Sequence, residues 1–205
     1  MGKLGFDLIL LGAPAAGKDT QAELLSKKYI FQKIESGKHW RKMAGQKNST
    51  GRLLRQTFSK GNPAPVKLMK EFLVKELRKA KQNNNLLFIG NPRLKPEAQL
   101  LIKMLKAKGR DFFVINIDLP VAEIKSRSIK RMRDDQDWKY IDNRIKMYRL
   151  QVQKTLNYFK SLNKLKVVDG NQTVKKVAQD IQKVLNDYQR FSTARNTKKE
   201  RANTR

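Results

Sequence analysis

A run of small residues lies near the start of the chain, bounded by Gly12 and Gly17 and followed by Lys18. With its flanking residues the segment comprises Gly12, Ala13, Pro14, Ala15, Ala16, Gly17, Lys18, Asp19 and Thr20. Small side chains let backbone N–H groups converge on an anion, and a following helix adds the positive end of its dipole. Lys18 would bring its charge to the β- and γ-phosphates of a bound nucleotide. The alternative, an ordinary turn with an exposed lysine, suits the flanking strand and helix less well.

Further polar segments follow this loop in a characteristic order. They are Glu35 to Arg41, Phe88 to Arg93, four arginines at positions 127, 131, 133 and 144, and Val168 to Val174. Together with the loop they resemble the adenylate kinase family of nucleoside monophosphate kinases, whose loop reads Gly-x-Pro-x-x-Gly-Lys-Gly-Thr. The resemblance covers residues 7–185. It implies an enzyme that transfers the γ-phosphate of ATP to AMP or a related nucleoside monophosphate.

The resemblance assigns one group of residues to the nucleoside monophosphate. Ser36 would contact the monophosphate, and Arg41 would bind its phosphate. Gly90 would allow close approach of the base, and Arg93 would bind the acceptor phosphate in bidentate fashion. Glu97 stands where the family has a glutamine that reads the adenine edge. Because an ionised glutamate only accepts hydrogen bonds, the choice of base stays open.

A second group would bind ATP and the phosphoryl group in transfer. The loop from Gly12 to Thr20 would hold the ATP phosphates, and the loop at Asn171 would hold the adenine through backbone contacts. Arg127 would also contact ATP. The catalytic set implied by the resemblance comprises Lys18, Arg93, Arg127, Arg131, Arg133 and Arg144. Positive groups and positioning do most of the work in phosphoryl transfer. For the arginines, the alternative is a solvated helix face.

Magnesium bound with ATP is the implied cofactor, held mainly by the nucleotide phosphates and without a metal site built by the protein. Two positions near it depart from the family pattern: Asp19 replaces a loop glycine, and Ile89 stands where an aspartate organises Mg²⁺ through water. In the monophosphate segment, Lys38 replaces an acid. Two like charges about 4 Å apart repel by roughly 4 kcal/mol at an effective dielectric of 20. Asp19 therefore either repels the β-phosphate or helps to place the cation.

Strands and helices must position these motifs. Short apolar runs predict strands at Phe6–Leu11, Leu86–Ile89, Phe112–Ile117 and Lys166–Val168. Apolar residues at three- and four-residue intervals predict helices at 20–29, 66–81, 96–108, 121–131, 138–162 and 174–188. Strands that alternate with helices indicate a parallel sheet covered on both faces. The resemblance refines this α/β class to a P-loop three-layer sandwich with a parallel five-stranded sheet.

The expected domain organisation is a kinase domain over residues 1–188 followed by a tail. The domain would contain a small helical monophosphate-binding insert at 35–65 and a short lid at 128–138. The tail, 189–205, lacks Val, Leu and Ile and holds six basic residues against one acid. Such a composition predicts a disordered basic segment.

The composition narrows the possible chemistry. The chain has no cysteine and one histidine, His39, which excludes disulfides, cysteine-built metal sites and any mechanism that needs two histidines. We expect His39 to serve as a surface or packing residue. No apolar run approaches the ~18 residues needed to span a bilayer. We therefore expect a soluble cytoplasmic protein, without a membrane segment and monomeric.

The charge leaves a second hypothesis open. Lysine and arginine number 46 against 18 aspartates and glutamates, so the net charge is +28. A surface so basic could bind RNA or another polyanion. The chain would then be a catalytically impaired kinase-like protein, and the altered positions 19, 38, 89 and 97 would mark lost catalysis. Aromatic residues are not interleaved with the basic stretches, which disfavours binding of single strands.

Overall fold

The computed structural model describes residues 2–130 and 138–203, with side chains described as far as residue 192. The strands are β1 (Asp7–Gly12), β2 (Phe31–Glu35), β3 (Asn85–Ile89), β4 (Phe112–Asp118) and β5 (Leu165–Asp169). The α-helices in these ranges are α1 (Lys18–Lys28), α2 (Ser36–Ala44), α3 (Ser49–Phe58), α4 (Val66–Arg78), α5 (Lys95–Ala107), α6 (Val121–Ile129), α7 (Trp138–Met147), α8 (Gln153–Ser161) and α9 (Val174–Asn203). A π-helical turn, Tyr148–Val152, joins α7 to α8.

The strands form one parallel sheet in the order β2-β3-β1-β4-β5. This confirms the predicted α/β class and its five-stranded sheet. Because the strands are parallel, the loops that follow them all leave the same edge of the sheet. Ligands bind at this edge where the strand order reverses direction. Here the first strand lies between β3 and β4, so the loops after these three strands are neighbours.

Residues of the three central strands, β1, β3 and β4, are buried on both faces, which explains their continuous apolar runs. Leu8, Ile9 and Leu10 in β1 are fully buried, as are Val114 and Ile115 in β4. The helices that cover the sheet form two groups. In one, α1 packs against α9; in the other, α5 packs against α4 and α8.

The strand β2 has no counterpart in the sequence prediction. Its residues read Phe-Gln-Lys-Ile-Glu, and only Ile34 is buried. The strand pairs with β3 on one side alone, at the edge of the sheet. Its two apolar residues, Phe31 and Ile34, are separated by Gln32 and Lys33, so β2 lacks adjacent apolar residues of the kind that predicted the other four strands.

A buried ion pair lies at the amino end of the sheet, opposite to the loops described above. Asp7, at the start of β1, accepts two hydrogen bonds from the Arg110 guanidinium, at 2.6 and 2.7 Å. Its Oδ1 also accepts the backbone N–H of Leu86 in β3 at 2.8 Å. The pair thus ties β1, β3 and the turn before β4 together, and both charges are bonded as buried charges must be.

The last helix extends beyond the predicted limit of the domain. The sequence predicts a helix to residue 188 and a disordered tail from 189, whereas α9 continues to Asn203. A scarcity of aliphatic residues argues against burial but not against a helix, since Lys, Arg, Gln and Ala are good helix formers. Near the domain boundary, Gln189 donates to the Leu4 carbonyl at 2.9 Å. In the described ranges, no helix combines the length and apolar character needed to cross a bilayer.

Candidate active site

The phosphate loop joins the end of β1 to the start of α1. Ala15 and Gly17 have φ angles of 58° and 81°, and such left-handed residues let successive backbone N–H groups point toward one side. Ala13 and Ala16 within the loop are buried, which favours small side chains at these positions. Asp19 and Thr20 are exposed in the first turn of α1, where an acid is compatible with the helix dipole.

Lys18 crosses from the loop toward the end of β3. Its Nζ donates to the carbonyl oxygens of Gly12 at 3.1 Å and Ala13 at 2.8 Å. Its Cε lies 3.5 Å from the position that a Cβ on Gly90 would take. Gly90 has a φ of 67°, which an L side chain rarely adopts. The glycine therefore lets the chain turn sharply directly beside the lysine.

Arg93 is held on three sides. Its Nε donates to the Gly90 carbonyl at 3.0 Å, its backbone N–H donates to Glu97 at 2.9 Å, and its carbonyl accepts the Thr155 hydroxyl at 2.8 Å. Burial, together with the nearby positive charge of Arg144, lowers the pKa of Arg93 to about 10. The side chain remains charged at neutral pH but has lost much of its hydration, which strengthens its attraction for an anion.

Glu97 is fully buried at the N-terminus of α5. Its Oε2 accepts the backbone N–H groups of Arg93 and Leu94, at 2.9 and 3.1 Å. These bonds satisfy amides that the start of a helix leaves without partners. Burial raises the pKa of Glu97, and the two amides and the Arg93 cation oppose that rise.

The helix α2 carries the other residues expected to bind the monophosphate. Ser36 is buried at its first position. The Arg41 Nη1 lies 3.4 Å from the position of a Cβ on Gly37, and the Arg41 charge contributes to lowering the pKa of Arg93. Arg41 and Arg93 therefore lie near enough for their charges to interact, although they are 52 residues apart in the chain.

His39 lies on the same helix and packs among aromatic rings. Its ring centroid is 4.6 Å from those of both Trp40 and Phe72. Burial lowers its pKa, which favours the neutral ring. His39 therefore occupies a packing position.

A cavity opens between the carboxyl ends of β1 and β3 and the helical run formed by α7 and the π-helical turn. Lys18, Gly90, Arg93 and Arg144 all line it. Their presence around one space would concentrate positive charge where phosphate groups could be exchanged. Gly61, which follows α3, also lines the cavity and lies against α7.

Arg127 lies beside the loop that follows β5. Its Nη1 donates to the Gly170 carbonyl at 3.2 Å, and its Nε donates to Glu123. The next residue in the loop, Asn171, is exposed and donates its backbone N–H to Asp169 at 2.8 Å. Arg127 and Asn171 were both expected to bind ATP, and the fold brings them together.

Two residues that the sequence analysis did not select support this region. Tyr148 lines the cavity, and its hydroxyl donates to Asp118 at 3.1 Å and bonds with Asn116. Its position four residues after Arg144 could have indicated it, since residues so spaced share a helix face. Thr155 carried no such signal, because its contact with Arg93 spans 62 residues. Arg131 and Arg133, and most of the expected lid, lie outside the described residues.

The described side chains offer few metal ligands. No three histidine, aspartate or glutamate side chains gather in residues 2–130 and 138–192. At the end of β3, Ile89 is buried and apolar, so it provides no acid there. The side-chain oxygens at the loop belong to the exposed Asp19 carboxylate and Thr20 hydroxyl. This arrangement fits a cation that the phosphates of a nucleotide hold for the most part.

Comparison with known proteins gives a consistent result. The family model described as adenylate kinase matches residues 10–164. An adenylate kinase of Bacteroides fragilis is 29% identical over 184 residues, which span 87% of this chain and 97% of the relative. An adenylate kinase of Trichodesmium erythraeum is 27% identical over 180 residues, which span 85% and 94%. One of Lachnospira eligens is 29% identical, over 87% and 99%. Nothing in these matches supports the polyanion-binding alternative.

Proposed function

The chain belongs to the adenylate kinase family and is a nucleoside monophosphate kinase that uses ATP, and from this premise we propose how its residues divide the work. The phosphate loop and Lys18 hold the phosphates of ATP. Arg41 and Arg93 hold the phosphate of the acceptor nucleotide, and Ser36 and Gly90 flank it.

The observation that carries this assignment is the common cavity lined by Lys18, Gly90, Arg93 and Arg144. In phosphoryl transfer, negative charge is distributed over the oxygens of the moving group, and the attacking and leaving oxygens lie roughly in line. Fixed cations on both sides of that group stabilise the transition state more than the ground state. Arg144 would complete this set from α7, and Arg131 and Arg133 would act with it from the lid.

Arg127 lies beside the loop after β5, where we propose that the adenine of ATP binds. Its bond to the Gly170 carbonyl supports a role in shaping the loop at Asn171, where the backbone would contact the ATP adenine. This would orient ATP so that its γ-phosphate reaches the cavity.

We assign Mg²⁺ to the ATP phosphates, with oxygen ligands from Asp19 or Thr20 available at the loop. When bound, the ion neutralises phosphate charge. The exposed position of Asp19 at the start of α1 allows its carboxylate to turn toward such a cation. The Asp19 carboxylate would then attract the Mg²⁺ bound to the β-phosphate, and this attraction would offset the repulsion between the carboxylate and the phosphate.

Replacing Lys18 tests the assignment. We expect Lys18→Ala to lower ATP-dependent phosphorylation of nucleoside monophosphates by at least about a hundredfold, since a positioned charge on the transferring group contributes roughly 3 kcal/mol or more. A coupled assay that measures nucleoside diphosphate formation provides the readout. Lys103→Ala, an exposed lysine on α5, is the control and should retain activity. Unchanged turnover in Lys18→Ala would refute the site.

A further inference from the structure

A polar residue lies within the apolar run of β4. Asn116 stands between Ile115 and Ile117 and is 2% exposed. Burying an amide costs free energy unless its hydrogen bonds are made. The Asn116 Nδ2 donates to the hydroxyl of Tyr148 at 3.1 Å, and the Asn116 Oδ1 lies 3.3 Å from the same hydroxyl. The amide therefore finds its partner on a different element, 32 residues further along the chain.

The Tyr148 hydroxyl also reaches a second residue of β4. It lies 3.1 Å from Oδ1 of Asp118, the last residue of the strand. Alternate residues of a strand point to the same face, so Asn116 and Asp118 both face Tyr148. The hydroxyl accepts from the Asn116 amide and has one proton to donate to an oxygen of Asp118 or Asn116. Burial raises the pKa of the Tyr148 hydroxyl, so it keeps that proton at neutral pH.

The part of β4 that Tyr148 contacts also holds the start of the phosphate loop. Between the two partners of Tyr148 lies Ile117, whose carbonyl accepts the N–H of Ala13 at 3.2 Å. Ile117 also pairs with Gly12 at the end of β1. A Cβ on Gly12 would lie 2.5 Å from the Ile117 carbonyl, so the two strands are in close contact at this point. The hydroxyl therefore bonds to both neighbours of the residue that anchors the loop.

Tyr148 belongs to the same helical run as Arg144. It is the first residue of the π-helical turn and follows Arg144 by four residues, so the two side chains lie on one face of the run. Both of them line the cavity, together with Lys18. Tyr148 thus links the run that carries Arg144 to the strand that holds the loop of Lys18.

We propose that Tyr148 is a positioning residue for phosphoryl transfer, whose hydroxyl fixes the Arg144 guanidinium relative to the phosphate loop through Asn116 and Asp118. This rests on the proposed function, because it takes Lys18 and Arg144 as cations around the transferring group. A misplacement of about 1 Å can lower catalysis a hundredfold. A bond that keeps the two cations in register therefore acts on the rate of transfer more than on the binding of either nucleotide.

Removal of the hydroxyl is the first test. In Tyr148→Phe the ring stays and its bonds to β4 are lost. We expect kcat to fall about tenfold, with the KM values for ATP and for the monophosphate changed by less than about twofold. The matched control is Tyr158→Phe, which changes a tyrosine of α8 whose ring packs against the Lys95 ammonium, and it should keep the wild-type kcat.

The outcomes of this test separate the inference from its premise. A wild-type kcat in Tyr148→Phe would overturn the inference and leave the kinase assignment intact. A wild-type protein that phosphorylates no monophosphate would overturn the proposed function, and this inference with it.

A double-mutant cycle shows whether Tyr148 acts through Arg144. Substitutions that act through one group are not additive, whereas the effects of independent groups multiply. We expect Arg144→Ala to lower kcat by about a hundredfold. In that background Tyr148→Phe should lower kcat by less than about twofold more. A further tenfold loss would mean that the hydroxyl acts independently of Arg144, and would overturn the inference.

A last variant separates alignment from stability. Tyr148→Phe takes a partner from the buried Asn116 amide, which lowers the stability of the fold. Adding Asn116→Leu removes that amide, so we expect the urea midpoint to recover while kcat stays about tenfold below that of the wild type. Recovery of kcat together with the midpoint would show a structural role alone and overturn the inference. If Tyr148→Phe does not fold, the double variant supplies the kcat comparison.

Discussion

At the scale of single residues, the proposed acceptor side of the site contains two groups that are both buried and ionisable, Arg93 and Glu97. Arg93 and Glu97 are joined through the backbone of Arg93, and each affects the pKa of the other. Burial weakens the hydration of both and strengthens their interactions with fixed dipoles and with a bound anion. The same burial means that a change of one atom has consequences for stability as well as for catalysis.

The first prediction concerns pH. Because burial raises the pKa of Glu97 above its unfolded value of about 4.3, the folded protein binds a proton there more tightly than the unfolded chain. Its contribution to stability is full below the unfolded pKa and is lost as the pH rises through the folded pKa. Glutamine does not titrate. We therefore expect the free energy of unfolding of wild type, minus that of Glu97→Gln, to fall as the pH rises from 4 to 8.

Urea unfolding of the two proteins across this pH range measures the difference. Taking the difference removes the contributions of the other titrating groups, which both proteins share. A difference that stays constant, or that grows with pH, would contradict a raised pKa at Glu97.

At the scale of elements, the run from α7 through the π-helical turn to α8 organises the cavity. It presents Arg144 and Tyr148 to the cavity and places Thr155 against the Arg93 carbonyl. An inserted π-helical turn shifts the residues that follow it around the helix axis, and such turns are frequent at functional sites. The run therefore sets the position of groups around the cavity in which we propose that phosphoryl transfer takes place.

Removal of the Thr155 hydroxyl tests its part in this arrangement. We expect Thr155→Val to raise the KM for the monophosphate severalfold, because the Arg93 carbonyl loses its bond and the arginine its alignment. The KM for ATP should change little. The unpaired carbonyl should also cost about 1–3 kcal/mol of stability.

Thr155→Ser keeps the hydroxyl and should restore the KM for the monophosphate. Steady-state kinetics with each substrate varied, together with urea unfolding, separate the two effects. Lost stability with an unchanged KM for the monophosphate would mean that the hydroxyl has only a structural role.

Gly61 provides a second test at this scale. It follows α3 with a φ of 71°, and a Cβ there would lie 2.7 Å from the Tyr140 carbonyl and 3.1 Å from Arg144 Cγ. We expect Gly61→Ala to displace α7 and lower kcat by about tenfold, since small misplacements of charged groups are costly to catalysis. Gly109→Ala is a matched control, with a φ of 63° and no atom within 4 Å of the added Cβ. Equal kcat values in Gly61→Ala and Gly109→Ala would contradict the expected displacement of α7, because backbone strain at a positive φ would then account for the whole effect.

At the scale of the whole molecule, the candidate active site and a buried ion pair that stabilises the fold lie at opposite ends of the sheet. The cavity lies at the carboxyl ends of the strands, whereas the ion pair of Asp7 and Arg110 lies at the amino end. In β1 the two are only one strand length apart, yet they share no side chain. The amino end can therefore be altered to change stability while the site keeps its geometry.

We expect Arg110→Met to lower the free energy of unfolding by about 3–5 kcal/mol, because it leaves Asp7 buried without its counter-charge. Adding Asp7→Asn should recover part of the loss, since the neutral amide can still accept the Leu86 N–H. Urea unfolding measures both variants. Below the unfolding transition, the KM values of both variants should match those of the wild type. If Arg110→Met were as stable as the wild type, the ion pair would have no role in stability.

The sequence by itself determined the order of the motifs, the α/β class and four of the five strands, because these depend on short segments and their periodicity. The phosphate loop could be located for the same reason. Whether the selected residues act as proposed stays a prediction. Only the tertiary structure decided the edge strand β2, the contact of Thr155 with Arg93 and the side-chain atoms of Trp40, Asn91 and Glu97 that burial leaves without hydrogen-bond partners. Such features depend on which groups distant in the chain meet and on which hydrogen bonds burial leaves unfilled, and local periodicity carries no record of either.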